Sequence, residues 1–510
     1  MTLDLIVARN ARRFPHKAAL VGTGGSRSWL EVDQRVNRLA NALLASGLGS
    51  GDRVAVLAGN CPEYLEIYFA CARAGLIAVP LNYRLTPREL AQILTHAEPS
   101  LLIAAAAYEE TVAGLRALLE NAPGCWRIED DGASPDSLAA RMAAADDTPV
   151  TSPAQENDTF AIFYTSGTTG LPKGAMVSHL NLEMNGYNQA IADNSRAEDI
   201  NLVATPVYHM GAVFMAVTYM LLGCTQVILP RFEPRTWADW LKRHRCTVSL
   251  LIPTMINAIL NDDEAAGADL SSLRLVFYGG GPMPPAVLER AIAVFGSGFT
   301  QGYGLTETLE ATFLVAADHR LDDDPDVRRR LASAGREAVG ADIRIVDDAG
   351  RDLATDEIGE ILVRSRSVIR GYWRQPEESA KAIRDGWFYT SDMGYLDADR
   401  YLFVVDRKKD MVVSGGVNIY TKEIEAVLYQ HPAVLEAAII GLPDENWGEI
   451  VTAVIVLRDG HSLEHDEVVD WCRDRIADFK KPRRTVLMDA LPKNPSGKIL
   501  KRELRDALSA

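Results

Sequence analysis

A glycine- and hydroxyl-rich run, Tyr164-Thr165-Ser166-Gly167-Thr168-Thr169-Gly170-Leu171-Pro172-Lys173-Gly174, follows the apolar stretch Phe160 to Phe163. Glycines at 167, 170 and 174 let a backbone turn tightly and approach a ligand. Bare amides, the hydroxyls of Thr165, Ser166, Thr168 and Thr169, and the Lys173 ammonium suit a nest for phosphate oxygens. The spacing is not that of a Walker A loop. Further on, Gln301-Gly302-Tyr303-Gly304-Leu305-Thr306-Glu307-Thr308 offers a flat ring, a hydroxyl and a carboxylate between glycines. The ring can stack on a base, and a carboxylate among phosphates suits Mg²⁺, which takes few protein oxygens and keeps water. Gly279, Gly280 and Gly281 lack side chains that would block a flat ligand. Near the end, Pro492-Lys493-Asn494-Pro495-Ser496-Gly497-Lys498 sets Lys498 in a stiffened turn, with less freedom to lose on engaging a ligand.

Taken together and in this order, these motifs resemble the adenylate-forming superfamily: acyl-CoA synthetases, peptide-synthetase adenylation domains and firefly-type luciferases. The resemblance runs from about residue 10 to the end. It implies Tyr303 along adenine, Thr306 at the α-phosphate, Glu307 at the metal, and Gly279 to Gly281 as the adenine-side wall. It implies that Asp392, in Gly386-Trp387-Phe388-Tyr389-Thr390-Ser391-Asp392, accepts both ribose hydroxyls, with Arg407 supplying a further ribose or phosphate contact and Lys409 as hinge. Lys498 would enter the site during adenylation and steady the charge that builds as two anions meet. Ser414-Gly415-Gly416-Val417-Asn418-Ile419 would line a pantetheine path, in the form found in free-standing synthetases that use coenzyme A. Two departures stand out: Ser391 where many relatives have Gly, and Thr421 where Pro is common.

The expected reaction follows: carboxylic acid and ATP give acyl-AMP and pyrophosphate, and coenzyme A then takes the acyl group. Catalysis would be positioning and electrostatics, with no Ser/His/Asp or Cys nucleophile. By resemblance the acid pocket comprises His209, as gate beside the carboxylate, with Met210, Val213, Phe214, Tyr278, Gly279, Gly302 and Leu309. Dicarboxylate-using relatives place an arginine where Gly302 stands, so an aromatic or a medium to long aliphatic acid fits better. The nearest rival is an amide synthetase in which an amine intercepts the adenylate. An amino-acid-loading protein would want an Asp at the start of segment 206–214, which has none. A silent scaffold would be expected to have lost Lys498 or Glu307.

These residues need a scaffold, and the chain's 510 residues exceed one compact core. Helical spacing over Leu30 to Ser46, Tyr64 to Ala74 and Pro87 to His96 alternates with extended runs at 52–58, 78–81 and 101–104. That rhythm predicts βαβ crossovers and parallel sheet. Apolar runs at 248–252 and 273–277 repeat it, while residues 125–157 read as an exposed connection and 318–330 as a solvated loop or helix face. Short strands at 342–346, 359–363 and 401–405 suggest a small β-barrel-like part, and a compact tail follows. The fold class is therefore α/β: a large N-terminal domain, 1–408, that binds acid and ATP, and a mobile α+β C-terminal domain, 409–510. The uncharged stretch Met210 to Pro230 is long enough to span a bilayer, yet Gly223 to Gln226 break it into a buried helix, turn and strand. A net charge of −16 argues against nucleic acid and anionic membrane as partners. Six scattered cysteines without a CxxC pair fit reduced thiols in the cytoplasm. The partners expected are the acid, ATP, Mg²⁺ and coenzyme A, with a homodimer left open.

Overall fold

The computed structural model describes residues 1–510 except 129–133, 166–171, 282, 323, 494–498 and 510. The chain forms two compact units, Met1–Ile343 with Val363–Phe388, and Arg344–Leu362 with Tyr389–Ala510. A boundary at 408/409 lies inside the second unit; it concerns motion, which is a different property from compactness.

In the first unit, one six-stranded sheet runs in the order Gly124–Ile128, Leu101–Ala105, Arg53–Leu57, Ile77–Pro80, Thr159–Thr165, Lys173–Ser178. Its strands pair in parallel except the last two, which form an antiparallel pair. Connecting helices start where the sequence can satisfy their free amides. Trp29–Ala45 opens on a capping box between Ser28 and Glu31, and Pro87–Ala97 on one between Thr86 and Glu89. Pro62–Ala74 stops at Gly75, whose φ of 72° favours glycine. The stretch 125–157 departs from expectation. Gly124–Ile128 is an edge strand with Trp126 buried, and Leu138–Ala143 is a helix. Alanine and aspartate richness hid the buried apolar residues that anchor it, Trp126, Ile128, Leu138 and Met142.

The second sheet has nine strands, with Leu275–Gly279, Gly298–Leu305 and Leu309–Leu314 adjacent towards one edge. Met210–Leu221 is a helix buried on nearly every side, Gly223 turns with φ 81°, and Thr225–Ile228 is a buried strand, as the breakers in that stretch predict. Among the described residues no helix is long and apolar enough to cross a membrane. Residues 341–407 supply a five-stranded sheet, the smaller β part.

The second unit carries a further five-stranded sheet built on the long pair Val434–Asp444 and Gly448–Leu457, flanked by helices Thr421–Leu428 and His465–Arg473. All six cysteines are free. Burial pushes the thiols of Cys71, Cys224 and Cys246 up to about 12 and also raises those of Cys125 and Cys472.

The departure at Thr421 has a local reason. Its N–H and its hydroxyl both donate to the buried Asp406 carboxylate, the hydroxyl at 2.8 Å, and Lys501 donates to the same hydroxyl at 2.5 Å. Proline offers neither donor. Thr421→Pro should therefore lower unfolding stability by about 3 kcal/mol, since hydrogen bonds to a buried charge are among the strong ones. A denaturant midpoint equal to wild type would refute this.

Candidate functional site

The strands Gly298–Leu305 and Leu309–Leu314 meet in a reversal too tight for a side chain at 304. A Cβ there would lie 1.6 Å from the Leu309 carbonyl oxygen, so only glycine fits. Leu309 itself takes a φ of 51°. The Thr308 hydroxyl accepts the Leu305 N–H at 2.9 Å and donates to the Leu309 carbonyl at 2.9 Å. The reversal leaves Tyr303, Thr306 and Glu307 half-buried at one end of the sheet.

Glu307 is held from both ends. Its carbonyl accepts the Ile369 N–H at 2.9 Å, and its carboxylate accepts the Tyr372 hydroxyl at 3.0 Å. Tyr372 is fixed in turn by the strand Lys173–Ser178, through Met176 N–H to Gly371 and Gly174 carbonyl to Trp373 N–H. Burial and the Glu307 charge raise the Tyr372 phenol, so it stays a donor. The Lys173 ammonium sits 5.1 Å from the centre of the same ring and pairs with Glu378 at 2.5 Å. Hydrogen bonds from Lys173 and Lys381 hold the Glu378 carboxyl down to about 2. The structure thus joins two sequence candidates, Lys173 and Glu307, through Tyr372. Thr165 pairs with Lys173 across the strands that flank segment 166–171. Tyr372 and Glu378 escaped the sequence reading, because contacts across 65 and 205 residues leave no local pattern.

On the acid side, a buried Asn60 pins the approach to His209. Its amide donates to the Thr205 and Leu229 carbonyls, and its oxygen accepts the Val207 N–H at 2.9 Å. His209 then caps the backbone of helix Met210–Leu221, its ring 4.4 Å from that of Tyr208. Its Nε2 is buried without a hydrogen bond, and burial followed by the Arg84 charge pushes the imidazole down to about 4. It is neutral at pH 7. Met210, Val213, Phe214, Phe277, Leu309 and Phe313 share one apolar cluster.

Strand pairing sets which side chains share a face. Gly279 pairs with Gly302, Gly302 with Phe313, and Gly304 with Glu310. Phe277 alternates with Gly279, so Phe277, Gly279, Gly302, Phe313 and Glu310 lie on one face. Phe214 packs edge-on to Phe277 at 5.8 Å, and Phe277 on Phe313 at 6.4 Å. Tyr278 points the other way, its hydroxyl 2.9 Å from His319 Nε2 in a separate cluster. Its side chain is therefore not brought to the face of Gly279 and Gly302. Phe277 could have been found from that alternation. Gly280 has φ 76° and is exposed, next to Gly281.

In the second unit, Asp392 pairs in register with Arg407, with a charge contact of 3.3 Å. Ser391 takes a φ of 60°, the conformation for which glycine is the easy choice, and donates its N–H to Glu360 at 3.2 Å. Ser414 pairs with Val417 around Gly415 and Gly416, whose φ values of 57° and 78° make the tight hairpin. A Cβ on Gly415 would lie 2.9 Å from the Trp447 ring. The Lys409 carbonyl accepts from Arg505, which also pairs with Asp410 at 2.8 Å. Ser166, Gly167, Thr168, Thr169 and Lys498 lie outside the described residues.

Residues 7–373 match the sequence model of the family described as AMP-binding enzyme, and residues 423–498 that of the AMP-binding enzyme C-terminal domain. A feruloyl-CoA synthase from Amycolatopsis is 40% identical over 98% of this chain and 97% of its own. ATP-bound MatB from Rhodopseudomonas palustris superposes with a TM-score of 0.88, at 32% identity over 100% of this chain and 99% of its own. The amide bond synthetase McbA from Marinactinospora thermotolerans gives 0.88 at 27% identity, covering 100% of both chains.

The His209 imidazole should titrate near 4 in an NMR experiment on the folded protein, against 6.5 for a free ring. Between those values the unfolded chain binds the extra proton, so this residue's contribution to stability declines as pH falls from 6.5 towards 4. A midpoint above 6 would show an open, hydrated ring.

Proposed function

The chain belongs to the AMP-binding enzyme family, as an ATP-dependent acid–CoA ligase working through an acyl-adenylate, and from that premise we propose that its acid is aromatic. The observation that carries the reading is the face formed by Phe214, Phe277 and Phe313 beside the bare positions Gly279 and Gly302. Flat rings fit such a face through edge-on and offset contacts. The likeness to a feruloyl-CoA synthase supports the same substrate class.

In the first step a carboxylate oxygen attacks the α-phosphorus and the bond to pyrophosphate breaks, leaving acyl-AMP. In the second the thiol sulfur attacks the acyl carbon, the bond to AMP breaks, and the thiol proton passes to solvent. Lys173 and Thr165 hold phosphate oxygens, and Tyr303 and Thr306 take adenine and the α-phosphate. Asp392 and Arg407 take the ribose. His209, uncharged, stands beside the acid carboxylate without adding a proton that would blunt its attack. Lys498 enters for adenylation and leaves for thioester formation as residues 409–510 turn about Lys409, bringing Ser414 to Gly416 to the thiol path. Among the described residues there is no cluster of three or more metal-binding side chains. Glu307, oriented by Tyr372, would be the protein ligand for Mg²⁺, which would neutralise phosphate charge there. Reduced, buried thiols and the need for ATP and coenzyme A fit the cytoplasm.

Pyrophosphate release over a panel of aromatic and aliphatic acids, with coenzyme A or with amines, tests the reading. Aromatic acids should lead, and thioester should form in preference to amide. Lys498→Ala should lose adenylation yet still convert supplied acyl-AMP and coenzyme A to thioester; equal loss of both halves would rule out the hinge. Tyr372→Phe should raise the magnesium concentration needed for half-maximal adenylation by about tenfold. An unchanged magnesium curve would remove Tyr372 from that role.

A further inference from the structure

Glu310 is a carboxyl in an aromatic place. It lies on the same sheet face as Phe277, Gly279, Gly302 and Phe313, and is only 8% exposed. A Cβ built on Gly302 would sit 2.4 Å from Glu310 Oε2 and 2.4 Å from the Phe277 ring tip. The carboxyl therefore occupies the space that a side chain at 302 would fill, the position the sequence reading gives to the acid pocket. The Glu310 backbone is satisfied, its N–H donating to Asn185 at 2.9 Å. Its Oε2 accepts nothing among the described residues. Burial first, and the charge of Asp193 second, push the group up to about 8. Asp193 Oδ2 accepts from Gln189 at 2.9 Å and from Tyr219 at 3.2 Å, while its Oδ1 is buried without a hydrogen bond.

A buried acceptor without a donor is costly, and native proteins keep few without a use. We propose that Glu310 reads the far end of the substrate: the acid carries a hydroxyl or N–H donor remote from its carboxylate, which Glu310 Oε2 accepts beside the Phe277 ring and Gly302. This rests on the aromatic-acid reading above and adds a polar requirement to it. A site built to hydrogen-bond a substrate hydroxyl rejects the analogue lacking it far more strongly than an apolar pocket rejects an extra one, because the analogue leaves the acceptor unpaired.

The test uses matched pairs of aryl acids differing in a para hydroxyl against a para methyl, which are nearly equal in size. The readouts are pyrophosphate release and thioester formation by the full chain. Wild type should favour the hydroxyl member in kcat/KM by about 100-fold. Glu310→Gln, which keeps an acceptor oxygen, should retain most of that preference. Glu310→Leu should abolish or invert it while turning over the methyl acid at least as well as wild type. A wild-type ratio near one overturns the proposal, and needs no folded variant. So does equal loss of both acids in Glu310→Leu, which marks a purely structural carboxyl. Efficient use of donor-free aryl acids would defeat this inference and leave the aromatic reading standing. A preference for aliphatic acids, or no AMP-linked product from any acid, would defeat both.

Discussion

One carbonyl oxygen governs the first unit's chemistry. The Leu309 carbonyl comes so close to residue 304 that no β-carbon can stand there, and this closeness turns the chain sharply enough to put Thr306 and Glu307 between two strands. A looser turn would set the carboxylate adrift from Tyr372 and Ile369, which hold its two ends. Strain is accepted at Leu309 itself, where a branched side chain takes a left-handed backbone. Burial of that side chain in the apolar cluster below offsets the strain.

Charge is handled locally on a strongly acidic chain. Lys173 is paired with Glu378 and faces a tyrosine ring, so its ammonium is preset in direction before any anion arrives. The partner carboxylate is itself half-buried, so solvent screens the pair only in part. His209 shows the opposite device. Burial strips its proton and leaves a neutral ring at the start of helix Met210–Leu221.

Much of the scaffold could be read from the residues because the α/β rhythm is regular. From Trp29 to Ala105 the helices and strands fall within a few positions of their predicted limits, since capping residues, prolines and glycines mark their ends, whereas the hairpin Ala18–Gly22 and Gly25–Ser28 was not foreseen. Motif residues stood out for their types: glycines with hydroxyls, a Tyr and Glu between glycines, a lysine in a stiff turn. What stayed hidden depends on pairing between distant segments. Tyr372 meets Glu307 only through strand contacts, and Trp126 looked like a stray aromatic in a polar connection. Glu310 carried no signal in the sequence, and only strand register brings its carboxyl beside Gly302. Tyr278 and Gly279 are neighbours in the chain but opposed in direction, a distinction that period-two alternation carries and a motif string does not.

The raised thiols have a bearing on handling a sulfur substrate. Thiol–disulfide exchange proceeds through the thiolate of the attacking partner. With Cys71, Cys224 and Cys246 pushed to about 12 and Cys125 and Cys472 raised, these five side chains supply almost no thiolate at neutral pH. Oxidised coenzyme A thus meets poor nucleophiles in these five, which makes them poor sites for a mixed disulfide with the acceptor.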